Sequence, residues 1–263
     1  YLVRRVQMIL ITEFMDEDAI NLLKKKYDVY YDISLAEDSN SLVKLINKMK
    51  ALIVRNKTLV TRELIENAPN LTCVGRLGVG LDNIDLNACK EQNIAVYPAL
   101  GANSHSVAEY VICTSMLLLR KAYFKKNEMI AGNWPRQESS GSEVYGKTLG
   151  FIGFGDIARK TRDLAIGLGI NTVAYDPYLD NDSNVWKDTK NLDLDNLLSI
   201  SDIISLHIPL TEETKNLLNE KKLGLIKQSS VIINAARGGV IDENQLAKLL
   251  KETKIAGAAL DVF

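Results

Sequence analysis

A short apolar run, Leu149-Gly150-Phe151-Ile152, empties into Gly153-Phe154-Gly155-Asp156-Ile157-Ala158. A buried strand that meets Gly-x-Gly-x-x-Ala has few folds open to it. Gly153 allows a tight turn off the strand. Gly155 lets main chain approach a pyrophosphate with no Cβ in the way, and Ala158 lets a following helix pack close to the strand. Ile157, Ala158, Thr161, Leu164, Ala165 and Leu168 recur at helical spacing, and Gly169 stands at the stop position. Asn171-Thr172-Val173-Ala174-Tyr175 then reads as a second strand with Asp176 at its carboxyl end, where a carboxylate can accept from a ribose diol. The glycine pattern alone is common, but strand, turn, helix, strand and acid in this order predict a dinucleotide site. Its residues are Gly153, Gly155, Asp156, Ile157, Asp176 and Pro177, with pyrophosphate at the helix N-terminus. A carboxylate at 176 repels a 2′-phosphate and Pro177-Tyr178 offers no arginine, so NAD is favoured over NADP. Asp156 puts a negative charge in the phosphate-binding turn; it is expected to point away from the phosphates, screened by Arg159.

At 263 residues and 46% hydrophobic content the chain can bury a large core, and two domains are expected. A net charge of −1 argues against a nucleic-acid or membrane-surface role, since no basic excess exists to neutralise phosphates. The sequence shows no membrane-spanning stretch and no signal peptide. Cys73, Cys89 and Cys113 are scattered, which indicates neither a zinc site nor a disulfide framework and fits a reducing cytoplasm. Tyr1 to Gln7, ahead of Met8, read as an upstream remnant.

Before the fingerprint, strand and helix patterns alternate. Strands are predicted at 8–12, 29–32, 51–54, 71–74 and 94–97, and helices at 18–26, 41–49, 61–67 and 85–92. Repeated βα units imply a parallel sheet covered on both faces. Residues 106–130 read as one long, largely apolar helix linking two domains, capped by Ser104 or Ser106, with Glu109 completing a capping box. A second βα array begins at Lys147, with later strands at 203–206, 231–234 and 255–260. The fold expected is therefore α/β with two domains, 8–103 and 104–263.

After the strand Val231-Ile232-Ile233 comes Asn234-Ala235-Ala236-Arg237-Gly238-Gly239. Ligands of open α/β sheets bind at the carboxyl ends of strands, so Arg237 stands where its planar fork can hold a carboxylate. A surface ion pair is the bland alternative.

Several further motifs occur in order: Val54-Arg55-Asn56-Lys57-Thr58, Gly75-Arg76-Leu77-Gly78-Val79-Gly80-Leu81-Asp82-Asn83-Ile84-Asp85, Asn103-Ser104-His105-Ser106-Val107-Ala108-Glu109, His207-Ile208-Pro209 with Thr214, and Gly257-Ala258-Ala259-Leu260-Asp261-Val262-Phe263. With the fingerprint and the Arg237 loop they make the chain resemble the D-isomer-specific 2-hydroxyacid dehydrogenases, in the branch containing 3-phosphoglycerate dehydrogenase. The resemblance implies a flavodoxin-like substrate domain followed by a Rossmann NAD-binding domain, with the active site in the cleft between them. It implies that Arg237 binds the substrate carboxylate and polarises the 2-oxo group, helped by backbone amides of Leu77, Gly78, Val79 and Gly80. It also places His207, Pro209, Thr214, Ala235, Ala236 and Asp261 against the cofactor, and a homodimer through the helix near 106–130.

The family's proton relay is a Glu a few residues beyond the position of Asp261, paired with a His in a His-x-Gly setting. The sequence ends at Phe263, before both, and is expected to represent a working dehydrogenase incompletely. Its two histidines, His105 and His207, fall at neither position; His105 reads as a loop or cap-flanking residue. Arg55 and Arg76 resemble arginines that handle a substrate phosphate, and Arg136 resembles one reaching toward a neighbouring subunit's site. A second anionic group on a small 2-hydroxy or 2-oxo acid is expected, with 3-phosphoglycerate leading and sulfolactate or malate as alternatives, Asn103 lying on the approach to the substrate. No metal site is indicated. Two other classes stay open: an NAD(H)-responsive binding protein or inactive homologue, and, far behind, a nucleotide-binding methyltransferase.

Overall fold

In the computed structural model, which describes residues 8–121 and 124–263, the chain divides between Asn103 and Ser104 into two compact units. The first unit alternates strand and helix: β1 (Met8–Ile11), α1 (Glu17–Lys24), β2 (Asp28–Tyr31), a 3₁₀ turn (Ile33–Ala36), α2 (Ser39–Ile46), β3 (Ala51–Val54), α3 (Arg62–Glu66), β4 (Cys73–Arg76), α4 (Leu86–Glu91) and β5 (Ala95–Pro98). Asp16, Asp38, Thr61 and Asp85 start the four α-helices, each side chain accepting from a first-turn amide. The strands pair in parallel in the order β2-β1-β3-β4-β5, the flavodoxin-like order. Successive residues of β1 serve opposite faces: Leu10 joins the main core with Leu52, Val54 and Val74, while Ile9 and Ile11 pack with Ile20 of α1.

The second unit comprises α5 (Ser104–Arg120), α6 (Lys126–Ile130), β6 (Thr148–Ile152), α7 (Asp156–Gly167), β7 (Asn171–Tyr175), β8 (Lys190–Asn191), α8 (Leu194–Ile200), β9 (Ile203–Leu206), α9 (Glu220–Leu223), β10 (Val231–Asn234), α10 (Glu243–Lys251) and β11 (Gly257–Leu260). Its parallel sheet runs β8-β7-β6-β9-β10-β11 among the described residues. Counted from β6 this is 3-2-1-4-5-6, the doubly wound dinucleotide-binding order, with its switch point between β6 and β9. The central strands β6, β9 and β10 are buried on both faces, as the middle of a parallel sheet requires. Ile152, Ile204 and Ile232 serve one core, and Phe151, Ile203, Val231 and Ile233 the other. Gly150 sits where β6 faces α8, and a Cβ there would collide with Ser201 and with Leu197 at 2.8 Å.

Most elements fall within two or three residues of their expected places, and the differences have causes. The long helix expected over 106–130 ends at Arg120. Lys121 turns left-handed at φ 53°, and the segment after it crosses the helix end: Ser142 donates to the Leu119 carbonyl at 2.8 Å, and a Cβ on Gly141 would strike the Arg120 main chain. Residues 122–123 of that stretch lie outside the described residues, as does the Tyr1–Gln7 segment read as a remnant. The helix begins at Ser104, so Ser106 lies inside its first turn, and the Ser104 hydroxyl goes to Asp156 instead. Gly169 ends α7 as expected, at φ 71° with its N–H on the Ile166 carbonyl. The strand expected at 71–74 is shifted to Cys73–Arg76, which makes Arg76 its last residue.

Candidate functional site

The glycine turn forms at the end of β6 because two neighbours hold it. Gly153 donates to the Tyr175 carbonyl at 2.8 Å and His207 donates to the Ile152 carbonyl at 2.8 Å. Gly153 has φ 86°, and a Cβ there would lie 2.7 Å from the His207 carbonyl oxygen, so this position demands glycine. Gly155 differs: its φ is ordinary, and a Cβ would meet nothing within 4 Å. It is the N-cap of α7 and supplies no side chain to the free amides of the first turn. Open space before uncapped amides at a helix N-terminus is what an anionic pyrophosphate requires.

Asp176 stands at the end of β7, its Oδ2 accepting from Phe154 N at 2.9 Å and its Oδ1 from Tyr178 N at 3.0 Å. Pro177 is exposed beside it, and the Tyr178 hydroxyl donates to Glu213 at 2.6 Å, joining the loop after β7 to the loop after β9. The Glu213 carboxylate beside it pushes the Tyr178 phenol up. The Asp156 carboxylate accepts from the Ser104 hydroxyl at 2.6 Å and from Lys160 at 3.0 Å. Those two bonds, Ser104 first, hold its pKa below the usual value against the effect of burial. Its ion-pair partner is Lys160, one helical turn on, and Arg159 adds the expected screening as a nearby charge.

At the end of β9, the His207 Nε2 lies 2.8 Å from the Ser205 hydroxyl and its ring 5.6 Å from that of Phe151. The residue keeps some accessible surface, but burial of the ring pushes its pKa down to about 4, so it is neutral at physiological pH. Pro209 is exposed, and the Thr214 hydroxyl closes that loop by donating to the Pro209 carbonyl at 2.6 Å. At the end of β10, buried Asn234 shapes the next loop: its Oδ1 accepts from Ala236 N at 3.0 Å and its Nδ2 donates to the Arg237 carbonyl at 2.8 Å. Ala235, Ala236 and Arg237 are half-buried, and Arg237 Nη1 donates to the Ala236 carbonyl at 2.6 Å. Asp261, just past β11, is exposed and donates its amide to the Asn234 carbonyl at 2.9 Å. Burial raises the Tyr110 phenol, and the charge of Asp261 adds to the shift. The second unit therefore gathers its expected residues at the carboxyl ends of β6, β7, β9, β10 and β11.

The first unit presents its expected residues at the ends of β3, β4 and β5. Arg55 is exposed immediately after β3. The Arg76 side chain folds over Gly78, where a Cβ would collide with its guanidinium. The Leu77 and Gly78 amides donate to the Val54 and Arg76 carbonyls, at 2.8 Å each. Asn103 is exposed at the end of the unit. The residue that organises the Arg55 loop is Glu13, which is 5% exposed. Its carboxylate accepts from four consecutive amides, Arg55 (2.7 Å) and Thr58 (3.0 Å) on Oε1, Asn56 (3.0 Å) and Lys57 (2.9 Å) on Oε2. Burial resists its ionisation, but the four amides outweigh that and hold its pKa below the ordinary value. Thr12 and Thr58 share a hydrogen bond of 2.8 Å beneath it.

Residues 112–263 match the family described as D-isomer-specific 2-hydroxyacid dehydrogenase, NAD-binding domain. The chain belongs to this family. It is 46% identical over 256 residues to an (S)-sulfolactate dehydrogenase of Chromohalobacter salexigens, covering 97% of this chain and 83% of that protein. It is 39% identical to a D-3-phosphoglycerate dehydrogenase of Methanocaldococcus jannaschii, again over 97% of this chain but only 48% of the relative. A D-lactate dehydrogenase of Aquifex aeolicus, solved with NAD and lactic acid, superposes with a TM-score of 0.85 at 26% identity, covering 97% of this chain and 77% of that one.

As a 2-hydroxyacid dehydrogenase family member, the protein uses NAD, and the open, uncapped turn at Gly155 fits that cofactor. Glu13, Asn234 and Ser104 were not visible as site residues in the sequence. Glu13 and Ser104 meet partners that tertiary structure brings to them, whereas Asn234 bonds Ala236 and Arg237 of its own loop. The hints are Glu13, an acid two residues past a buried strand, and Asn234, a turn-forming residue at a strand end.

Proposed function

We propose that the protein is an NAD-dependent 2-hydroxyacid dehydrogenase whose substrate carries a second anionic group. The Arg237 loop carries this reading: a guanidinium at the carboxyl end of β10, two strands from the fingerprint strand, on a loop shaped by buried Asn234. Bound NAD supplies the hydride acceptor for C2 of the hydroxy acid. Arg237 binds and orients the C1 carboxylate and polarises the C2 oxygen. It does not carry the proton, because a guanidinium does not release one near neutrality. The amides of Val79 and Gly80 serve the same carboxylate, those of Leu77 and Gly78 being engaged within the strand end. Asp176 takes the adenosine ribose, and Arg55 and Arg76 take the second anion. Sulfolactate stands ahead of 3-phosphoglycerate, since the sulfolactate relative is both more similar and more fully covered. The large exposed apolar side chains Phe124, Ile130 and Trp134 beyond α5 support a homodimer through that region.

The test is NADH oxidation with sulfopyruvate, phosphohydroxypyruvate and pyruvate, alongside calorimetric binding of the same acids to the NADH complex. Arg55→Ala and Arg76→Ala are expected to weaken the doubly charged acids roughly tenfold to a hundredfold, as loss of a charge-assisted bond does, and pyruvate little. Equal losses on all three acids would remove the second-anion assignment. Retention of carboxylate binding by Arg237→Ala would remove the anchor.

A further inference from the structure

Among the described residues, Asp176 holds its orientation through main-chain amides, and one of its two amide donors belongs to a residue clamped in the core. Phe154, the residue between the first two glycines of the fingerprint, is fully buried. Its ring stacks on the Trp186 indole, with centroids 5.1 Å apart and planes 6° from parallel, and the Arg162 guanidinium lies 5.6 Å from the same ring. Trp186 is 6% exposed and sits on the long connection that leaves β7 through Asp176. That connection is fastened at several points. Trp186 Nε1 donates to the Asp180 carbonyl at 2.8 Å, Thr189 N to the Trp186 carbonyl at 2.9 Å, and the Thr189 and Thr172 hydroxyls meet at 2.8 Å. Arg162, on α7 and 2% exposed, donates from Nη1 to the Val185 carbonyl at 2.9 Å. Its other face binds Asp163 Oδ1, from Nε at 2.9 Å and Nη2 at 2.7 Å.

We propose that Trp186 and Arg162 are positioning residues for cofactor selectivity. Through Phe154 they fix the amide that holds Asp176, so that the carboxylate offers both oxygens to a ribose diol and cannot swing away from a 2′-phosphate. Two features support a positioning role over a merely structural one. A guanidinium this buried, with a half-solvated partner, gives little net stability, and an apolar side chain of like volume in its place is often neutral or stabilising. What Arg162 provides that an apolar residue would not is a directional tie from α7 to Val185, next to Trp186. Furthermore, the connection that bears Asp176 returns to the glycine turn and touches it at Phe154, one of the two residues whose amides serve that carboxylate. A mobile carboxylate still tolerates NAD but discriminates poorly; a fixed one discriminates by repulsion as well as by bonding.

The inference rests on the assignment of Asp176 to the ribose, and the experiment separates the two. Dissociation constants for NADH and NADPH are measured by cofactor fluorescence on the wild type and on Asp176→Ala, Trp186→Leu, Trp186→Phe and Arg162→Met, with thermal melts of each. Trp186→Leu and Arg162→Met are expected to lower the NADH-over-NADPH preference about tenfold, the worth of one well-placed charged hydrogen bond. Trp186→Phe keeps the stack and is expected to stay within about twofold. Combining Trp186→Leu with Asp176→Ala should lower the preference no further than Asp176→Ala alone, since both act through one carboxylate. A preference lost in Asp176→Ala but kept in both Trp186→Leu and Arg162→Met overturns the positioning role. A preference kept in Asp176→Ala overturns the ribose assignment, and the inference with it. Should Trp186→Leu fail to fold, Arg162→Met decides alone.

Discussion

Replacing Glu13 with glutamine removes one charge and turns one acceptor atom into a donor. In the native loop each carboxylate oxygen accepts two amides, Arg55 and Thr58 on one and Asn56 and Lys57 on the other. Whichever oxygen becomes NH₂, two amides lose their acceptor and face another donor. Charge-assisted bonds of this kind contribute about 1.5–3 kcal/mol each. Arg55, Asn56 and Lys57 are exposed residues, so water recovers part of the loss, and the expected cost to the first unit is about 2–4 kcal/mol. Both tryptophans, Trp134 and Trp186, lie in the second unit, so their emission serves as an internal control. Urea unfolding followed by circular dichroism should show an earlier transition while the tryptophan-monitored one stays in place. Hydrogen exchange at 55–58 should speed up. The pH dependence has a definite sign. The folded pKa lies below the unfolded value of 4.5, so the stabilisation is complete above 4.5 and is lost as pH falls through the folded value. Glu13→Gln lacks that acid limb. If Glu13→Gln matched the wild type within about 0.5 kcal/mol and kept the same acid limb, the loop would not depend on this carboxylate.

His207 acts with the same sign from the opposite charge type. Its pKa falls from 6.5 unfolded to about 4 folded, so its contribution is full above 6.5 and declines between 6.5 and about 4; His207→Gln should flatten tryptophan-monitored melts across that window, and an unchanged slope would discount the burial. The two fingerprint glycines should respond differently to alanine. Gly153→Ala is expected to lower the melting temperature through a strained φ and a clash at the His207 carbonyl, worth at least about 1–3 kcal/mol. Gly155→Ala should change stability by less than about 1 kcal/mol yet weaken NADH binding tenfold or more, and matching effects on stability would contradict the open space seen there.

What could be read from the sequence was what local chemistry determines. The fingerprint, the Asp176 strand end and the Gly169 stop each depend on residues within a turn or a strand of one another, and all stand where they were expected. Long-range partners were not legible. Glu13 meets its amides more than forty residues later, and Ser104 meets Asp156 across half a domain. The apolar pattern over 106–130 continues past Arg120, where Gly141 and Ser142 cross the helix end, so the pattern alone overstates the helix. The two-residue strand β8, Lys190–Asn191, carries no apolar alternation at all; it pairs at an edge and exists through β7. Lys160 as the ion-pair partner of Asp156, beside the screening Arg159, is a matter of one helical turn, which spacing allows but does not select.

The bare N-terminus of α7 also bears on the protein's life in solution. Seven of the other described helices begin on an Asp, Asn or Thr that accepts from their own first turn; α7 begins on Gly155 and has no such internal partner. An oxygen-bearing residue there would steady the empty protein by about 1 kcal/mol and fill the space the phosphates need. With the pyrophosphate at Gly155, as proposed, the unliganded chain carries a built-in weak turn that its dinucleotide completes. Cofactor supply thereby becomes a determinant of how long each molecule survives unfolding and proteolysis, with resistance rising as the logarithm of free NAD above its dissociation constant.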